Sequence, residues 1–210
     1  MTKRGILIVV SGFSGAGKGT LMKELLKRYN NYALSISATT RKPRKGEEDG
    51  CEYFFKTVEE FEKMIAKEEL IEYARYVSNY YGTPKAYVRK QLESGKDVIL
   101  EIEIQGALKV KEKFPDTLLL FVTPPNAGIL KERLEKRGTE TMDVIASRMK
   151  RAVQESEGME QYDYLVINDD LDICVGQMHQ IIQGEHQRCS RNIEFMQSIR
   201  EELKENWKGE

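Results

Sequence analysis

The run Gly12-Phe13-Ser14-Gly15-Ala16-Gly17-Lys18-Gly19-Thr20 sets glycines, a lysine and hydroxyls at the spacing G-x-x-x-x-G-K. Glycine lets the backbone take positive φ and approach a ligand with no Cβ in the way, so successive N–H groups can converge on one anion-binding concavity. A helix starting behind such a loop adds about half a positive charge. Lys18 adds a full charge within reach of the β- and γ-phosphates of a nucleoside triphosphate. Gly19 follows the lysine where Ser or Thr is usual, and the next hydroxyl is on Thr20. Mg²⁺ is therefore expected on substrate phosphates and water, and no direct protein ligand is assigned to it.

A second anion site is expected in Ser37-Ala38-Thr39-Thr40-Arg41-Lys42-Pro43-Arg44. Pro43 restricts its own φ and biases Lys42 toward extended geometry, so Arg41 and Arg44 sit on a stiff segment. Two guanidinium forks can engage several oxygens of one phosphate monoester, as lysines cannot. A charge run alone reads as a solvated loop balanced by Glu47, Glu48 and Asp49. Beside a triphosphate loop, however, a second anion site has a use as the acceptor's phosphate clamp.

The elements that must hold these residues can be read from the apolar pattern. Ile6–Val10 is β-branched and apolar without polar alternation, as in a strand buried on both faces, and Leu21, Leu25 and Leu26 give helical spacing from near Lys18. Further apolar runs at Tyr32–Ile36, Val98–Ile102, Leu118–Val122 and Tyr164–Ile167 alternate with helical segments, which predicts an α/β fold with a parallel sheet flanked by helices. Thr57 with Glu60 forms a capping box, Thr83-Pro84 reads as N-cap and first helical residue of a helix closed by Gly95, and Gly138 ends another helix. The period fails between Ser37 and Gly82, a candidate inserted lobe.

The 210 residues suit one such domain, and the net charge of −1 argues against a general nucleic-acid or polybasic membrane surface. No apolar run approaches a membrane span or signal peptide, so a cytoplasmic protein is expected. The three cysteines, Cys51, Cys174 and Cys189, read as reduced thiols. His186 and Cys189 can share a helical face but do not close a metal site, so solvated or packed side chains are expected there.

With these motifs in place the chain resembles the guanylate kinase family, the P-loop nucleoside monophosphate kinases that act on GMP. Gly12–Thr20, Ser37–Arg44, Gly46–Gly50 with Tyr53, Asn79–Gly82, Glu101–Gly106, Arg137–Glu140 and Val166–Leu171 fall in that family's order over about residues 5–182. The resemblance implies a P-loop NTPase-type core (1–36, 83–136 and 156–185), an inserted GMP-binding lobe (37–82) and a helical lid (137–155), followed by a helical extension (186–210). It implies transfer of the γ-phosphoryl group of MgATP to GMP or dGMP. Phosphate ligands of GMP would fall on Arg41, Arg44, Tyr53 and Tyr81, and readers of guanine on Ser37, Glu72 and Thr83, with Glu103 close by. Lys18, Arg41, Arg137 and Arg148 would serve catalysis. The whole loop from Gly12 to Thr20, with Arg137 and Asn168, would hold ATP. Glu103 stands where the family more often has Asp, and Phe13 where proline is usual.

Two other readings fit the residues less well. A GTPase lacks support because the chain has no N-K-x-D motif. A non-enzymatic guanylate-kinase-like protein-binding module is disfavoured because Gly17, Lys18 and both arginines of the clamp are kept. The partners expected are GMP and ATP, with the chain a monomer or homodimer. The tail residues Ile193, Phe195, Met196, Ile199, Leu203 and Trp207 predict a helix that packs on the domain or on a partner.

Overall fold

The structure, a computed structural model, describes residues 4–76, 78–136 and 141–207. The chain opens with β1 (Leu7–Gly12), α1 (Lys18–Arg28) and β2 (Tyr32–Leu34). A lobe then follows: β3 (Ala38–Thr39), β4 (Phe54–Phe55), α2 (Val58–Ala66), β5 (Leu70–Tyr76) and β6 (Asn79–Pro84). The remainder is α3 (Lys85–Glu93), β7 (Asp97–Glu101), α4 (Ile104–Lys113), β8 (Leu118–Thr123), α5 (Ala127–Lys136), α6 (Met142–Ser156), β9 (Tyr164–Ile167), α7 (Leu171–Glu185) and α8 (Ile193–Asn206).

Five strands form one sheet in the order β2-β7-β1-β8-β9, every pairing parallel. Alternate residues of its strands feed opposite layers, as the pleat requires. Ile8, Val10 and Ile99 pack with Leu21, Leu25 and Met178 of α1 and α7, while Val9, Val98 and Leu100 pack with Val88 of α3 and Val110 of α4. Central strands covered on both faces explain the unbroken apolar runs in the sequence. The predicted strand Tyr32–Ile36 ends at Leu34, and that predicted at Val98–Ile102 runs one residue earlier, starting at buried Asp97.

The lobe carries its own sheet, ordered β4-β3-β6-β5, over a small core of Ala38, Phe61 and Leu70. The capping box at the start of α2 is formed, with Thr57 accepting from Glu60 N–H and the Glu60 carboxylate accepting from Thr57 N–H. The other predicted cap is corrected: Thr83 lies in β6, Pro84 is the N-cap of α3, and no side chain caps that helix. Thr83 is fully buried, and its hydroxyl is spent on Glu72 instead. Gly95 follows the C-cap of α3 at φ 84°, as expected for a glycine closing a helix. Gly138 lies outside the described residues.

His186 and Cys189 do not converge on a metal. The His186 Nε2 pairs with buried Asp97 at 2.8 Å, and Cys189 is exposed. Asp97 also accepts from the Ile6 N–H at 2.8 Å, so this histidine anchors the end of α7 to the sheet.

Candidate active site

β1 sits inside the sheet with the strand order diverging on either side, and the glycine loop leaves its carboxyl end, where open α/β sheets bind ligands. Two glycines of the loop are required by its geometry. Gly12 has φ 151°, and a Cβ there would lie 2.0 Å from the Val122 carbonyl oxygen. Gly17 is the N-cap of α1 in the left-handed region at φ 89°, and a Cβ would come within 2.5 Å of the Asn168 amide nitrogen. The first turn of α1 contains no acidic residue, which leaves its positive end for an anion. Lys18 Nζ donates to the Gly12 and Phe13 carbonyls at 2.7 and 3.1 Å, holding its charge over the loop. Phe13 is buried edge-on against Phe121, a packing role.

Struts from distant elements brace the loop. Asn168, buried at the end of β9, donates to the Ala16 carbonyl at 2.8 Å, and Arg133 of α5 donates to the Asn168 carbonyl at 2.9 Å. From α6, Arg148 contacts the Ser14 hydroxyl. One turn on, Arg151 pairs with Glu103 at 2.6 Å and Glu155 at 2.9 Å. α6 thereby spans from the glycine loop to the start of α4. Glycines 15 and 19, with Thr20, complete the loop; Gly15 has φ 95° and Thr20 is exposed. Arg137 lies outside the described residues.

In the lobe, Arg41 is held by a two-pronged contact to Glu47 at 2.9 and 3.0 Å, and the same carboxylate accepts from the Arg44 N–H at 2.7 Å. The Arg41 bonds, reinforced by the Arg44 N–H, hold the Glu47 carboxyl below the usual carboxylate range. The Arg41 guanidinium lies 5.2 Å from the Tyr53 ring centroid, and Tyr81 packs edge-on to Tyr53 at 6.1 Å. Arg41, Tyr53 and Tyr81 are thus one cluster. Arg44 joins it through its backbone, its side chain being exposed.

Glu72 and Thr83 form the second cluster, on neighbouring strands β5 and β6. Thr83 Oγ1 donates to Glu72 Oε1 at 2.7 Å. Burial pushes the Glu72 carboxyl up, opposed by that hydrogen bond and more weakly by Lys109 and Lys113 of α4. The other oxygen, Oε2, lies 3.8 Å from where a Cβ on Gly106 would stand, so the carboxylate is set at the seam between the lobe and α4. Ser37 immediately precedes β3, its carbonyl accepting from Phe54 N–H at 2.8 Å. Glu103 stands apart from Glu72, its side chain largely exposed and engaged with Arg151.

Sequence reasoning missed three residues. Glu47 was visible only as a charge balancing the arginines, and nothing in its spacing marks it as their ligand. Arg151 reads as one more cation on an exposed helix. Arg133 reads as one more cation of α5, and only packing brings it to the Asn168 carbonyl.

A strand, glycine loop and helix at the switch point of a parallel sheet, with a lysine over the loop, define a P-loop nucleotide-binding fold. The sequence profile of the guanylate kinase family matches residues 4–185. The chain is 53% identical over 192 residues to a guanylate kinase of Halalkalibacterium halodurans, covering 91% of this chain and 94% of the relative. To that of Caldanaerobacter subterraneus subsp. tengcongensis it is 52% identical over 200 residues, covering 95% and 97%. The crystal structure of guanylate kinase from Anaplasma phagocytophilum superposes with a TM-score of 0.70 at 30% identity, covering 90% of each chain. The chain belongs to the guanylate kinase family.

Proposed function

We infer that this chain transfers the γ-phosphoryl group of ATP to GMP, giving ADP and GDP. The observation that carries the acceptor's identity is the Glu72–Thr83 pair, a carboxylate kept at some desolvation cost beside a hydroxyl. Guanine offers the N1–H and N2–H donors that such a carboxylate lacks, whereas adenine's corresponding edge presents an acceptor at N1. Ser37 would take a further polar contact of the base, and Glu103 would act from its place at the head of α4.

The two anion sites divide the phosphates. The loop Gly12–Thr20 with Lys18 would hold the donor's β- and γ-phosphates. Arg41, Arg44, Tyr53 and Tyr81 would hold the acceptor's monoester. Phosphoryl transfer spreads charge over the equatorial oxygens, so fixed cations supply most of the stabilisation and no acid–base residue is required. Lys18, Arg41, Arg148 and Arg137 are assigned that task, and Asn168 the adenine side of the donor. Glu47 occupies the two-pronged edge of Arg41, so the acceptor phosphate would meet the guanidinium on its remaining N–H groups, with the direction of the group fixed by that pair.

Residues 37–82 are assigned as the acceptor lobe and 137–155 as the lid. Mg²⁺ would enter on the donor's phosphates. The ion would be ligated by those phosphates and water, with no protein ligand assigned. It would neutralise charge between the β- and γ-oxygens. No helix among the described residues is long and apolar enough to cross a membrane; we assign the enzyme to the cytoplasm. The test is ADP formation measured with GMP, dGMP, AMP and UMP as acceptors. Turnover with GMP and dGMP far above AMP and UMP is expected, and equal turnover with AMP would overturn the assignment.

A further inference from the structure

Gly106 is a glycine for which the protein alone supplies no reason. It lies in the first turn of α4, whose N-cap is Glu103, and its φ is not positive. Glycine is the poorest helix former after proline, so alanine would serve the helix better. Nothing stands in the way of one. A Cβ at Gly106 would meet Ile102 Cδ1 at 3.4 Å, Glu72 Oε2 at 3.8 Å and Ile102 Cβ at 3.9 Å, all ordinary van der Waals separations. At Gly5, Gly12 and Gly82, by contrast, a Cβ would come within 1.8, 2.0 and 2.8 Å of a carbonyl oxygen, so packing requires those three. The space at Gly106 is left open beside one particular atom.

That atom is Glu72 Oε2. Oε1 of the same carboxylate accepts from Thr83 Oγ1 at 2.7 Å, whereas Oε2 accepts no hydrogen bond from any described residue. An ionised carboxylate drawn away from water needs a donor on each oxygen, and Lys109 and Lys113, one and two turns beyond Gly106, favour that ionised form. The backbone sets the approach. The register of β5 against β6 shifts between Leu70 and Tyr73, and such an irregularity re-aims side chains. Consecutive residues of β5 thus both reach α4: Ile71 shares a core with Ala107 and Val110, and Glu72 arrives beside Gly106. An acceptor oxygen without a donor faces a gap that no side chain fills.

We propose that Gly106 is a specificity-determining residue for the acceptor base, its missing side chain leaving the slot through which the base reaches Glu72 Oε2. The proposal rests on the reading of Glu72 as the residue that recognises guanine. A guanine N–H pairs with that oxygen at about 2.9 Å, and the ring behind it needs about 3.5–4.0 Å to the wall on its face. A methyl group 3.8 Å from the oxygen fills that flank and pushes the ring off the carboxylate. The loss falls on the pairing that separates the two purines, because adenine's corresponding edge presents an acceptor at N1 and has less to lose there.

The experiment compares the unaltered chain with Gly106→Ala in steady-state kinetics with GMP and AMP and in thermal unfolding of the free protein. Gly106→Ala should raise KM for GMP at least about ten-fold, leave KM for ATP within about two-fold and narrow the preference for GMP over AMP. Its melting temperature should be unchanged or higher, because alanine favours the helix and the free protein has room for it. Gly106→Ser, whose hydroxyl can donate to Oε2 in place of the base, should raise KM for GMP at least as far. An unchanged KM for GMP in Gly106→Ala overturns the proposal. So does a lowered melting temperature with KM for GMP and ATP rising together, because the gap would then be packing that the free protein needs. Failure of the reading beneath it is separately visible. An unaltered chain that turns over AMP as fast as GMP overturns both, whereas one that prefers GMP beside an indifferent Gly106→Ala overturns this proposal alone.

Discussion

In the proposed reading, selectivity for the acceptor base rests on Glu72. A carboxyl whose pKa is raised by burial binds its proton more tightly in the folded than in the unfolded chain. Ionising it at neutral pH therefore costs the free protein stability, and the stability its protonated form contributes is lost as pH rises from the ordinary carboxyl range through the raised value. Glu72→Gln should accordingly leave the melting temperature of the free protein at pH 7 to 8 unchanged or higher. The same substitution replaces two charged acceptors by one amide oxygen and turns an NH₂ toward a donor. A fall of at least about ten-fold in kcat/KM for GMP is expected, equivalent to about 1.4 kcal/mol, with AMP gaining relative to GMP. In the unaltered chain KM for GMP should rise on acidification at a higher pH than an ordinary glutamate would dictate, and Glu72→Gln should remove that dependence. An unchanged GMP-to-AMP ratio would show that Glu72 does not read the base. In the same reading Lys18 belongs to the donor half of the chemistry. Its charge counts most when negative charge migrates, so Lys18→Ala should lower kcat by about a hundred-fold or more with little change in GMP affinity measured by calorimetry.

At the scale of elements, the lobe is the weakest piece of the architecture. Its core has three buried hydrophobic side chains, against the two larger clusters that sandwich the main sheet. Phe61 is fully buried and stacks on Tyr80 at 5.1 Å, tying α2 to β6. Phe61→Ala should cost about 3–5 kcal/mol locally. Because β6 carries Tyr81 and Thr83, the loss should appear as a raised KM for GMP and as faster amide exchange across residues 54–84. Exchange in β1 and α1, packed in a different core, should change little. Equal acceleration in both regions would mean that lobe and core unfold as one unit.

Seen whole, the molecule holds its two proposed anion sites on different sheets, with α6 attached to the glycine loop through Ser14 and to the head of α4 through Glu103. In the proposed reaction, bringing donor and acceptor phosphates into line and excluding water would require the lobe to close toward the loop, which α6 already touches. GMP together with a non-hydrolysable ATP analogue should therefore reduce the radius of gyration in solution scattering, and either ligand alone should reduce it less. Profiles that superpose with and without both ligands would count against closure.

The glycine loop and the parallel α/β order were legible in the residues, because each rests on local rules: which residues tolerate positive φ and which apolar runs suit a doubly covered strand. The capping box at Thr57 was legible for the same reason, its partners being three residues apart. Thr83 was misread from local rules alone. Its neighbour Pro84 invited a helix cap, and only the pairing of β5 with β6 brings Glu72 to its hydroxyl across 11 positions of sequence. Glu47 as the ligand of Arg41, Asn168 as a strut on Ala16, and the apolar stripe of α8, none of whose residues is buried, were likewise decided by the tertiary structure. Each depends on where a side chain points once distant elements have packed, and burial and hydrogen bonding between distant segments leave no periodic mark in the sequence.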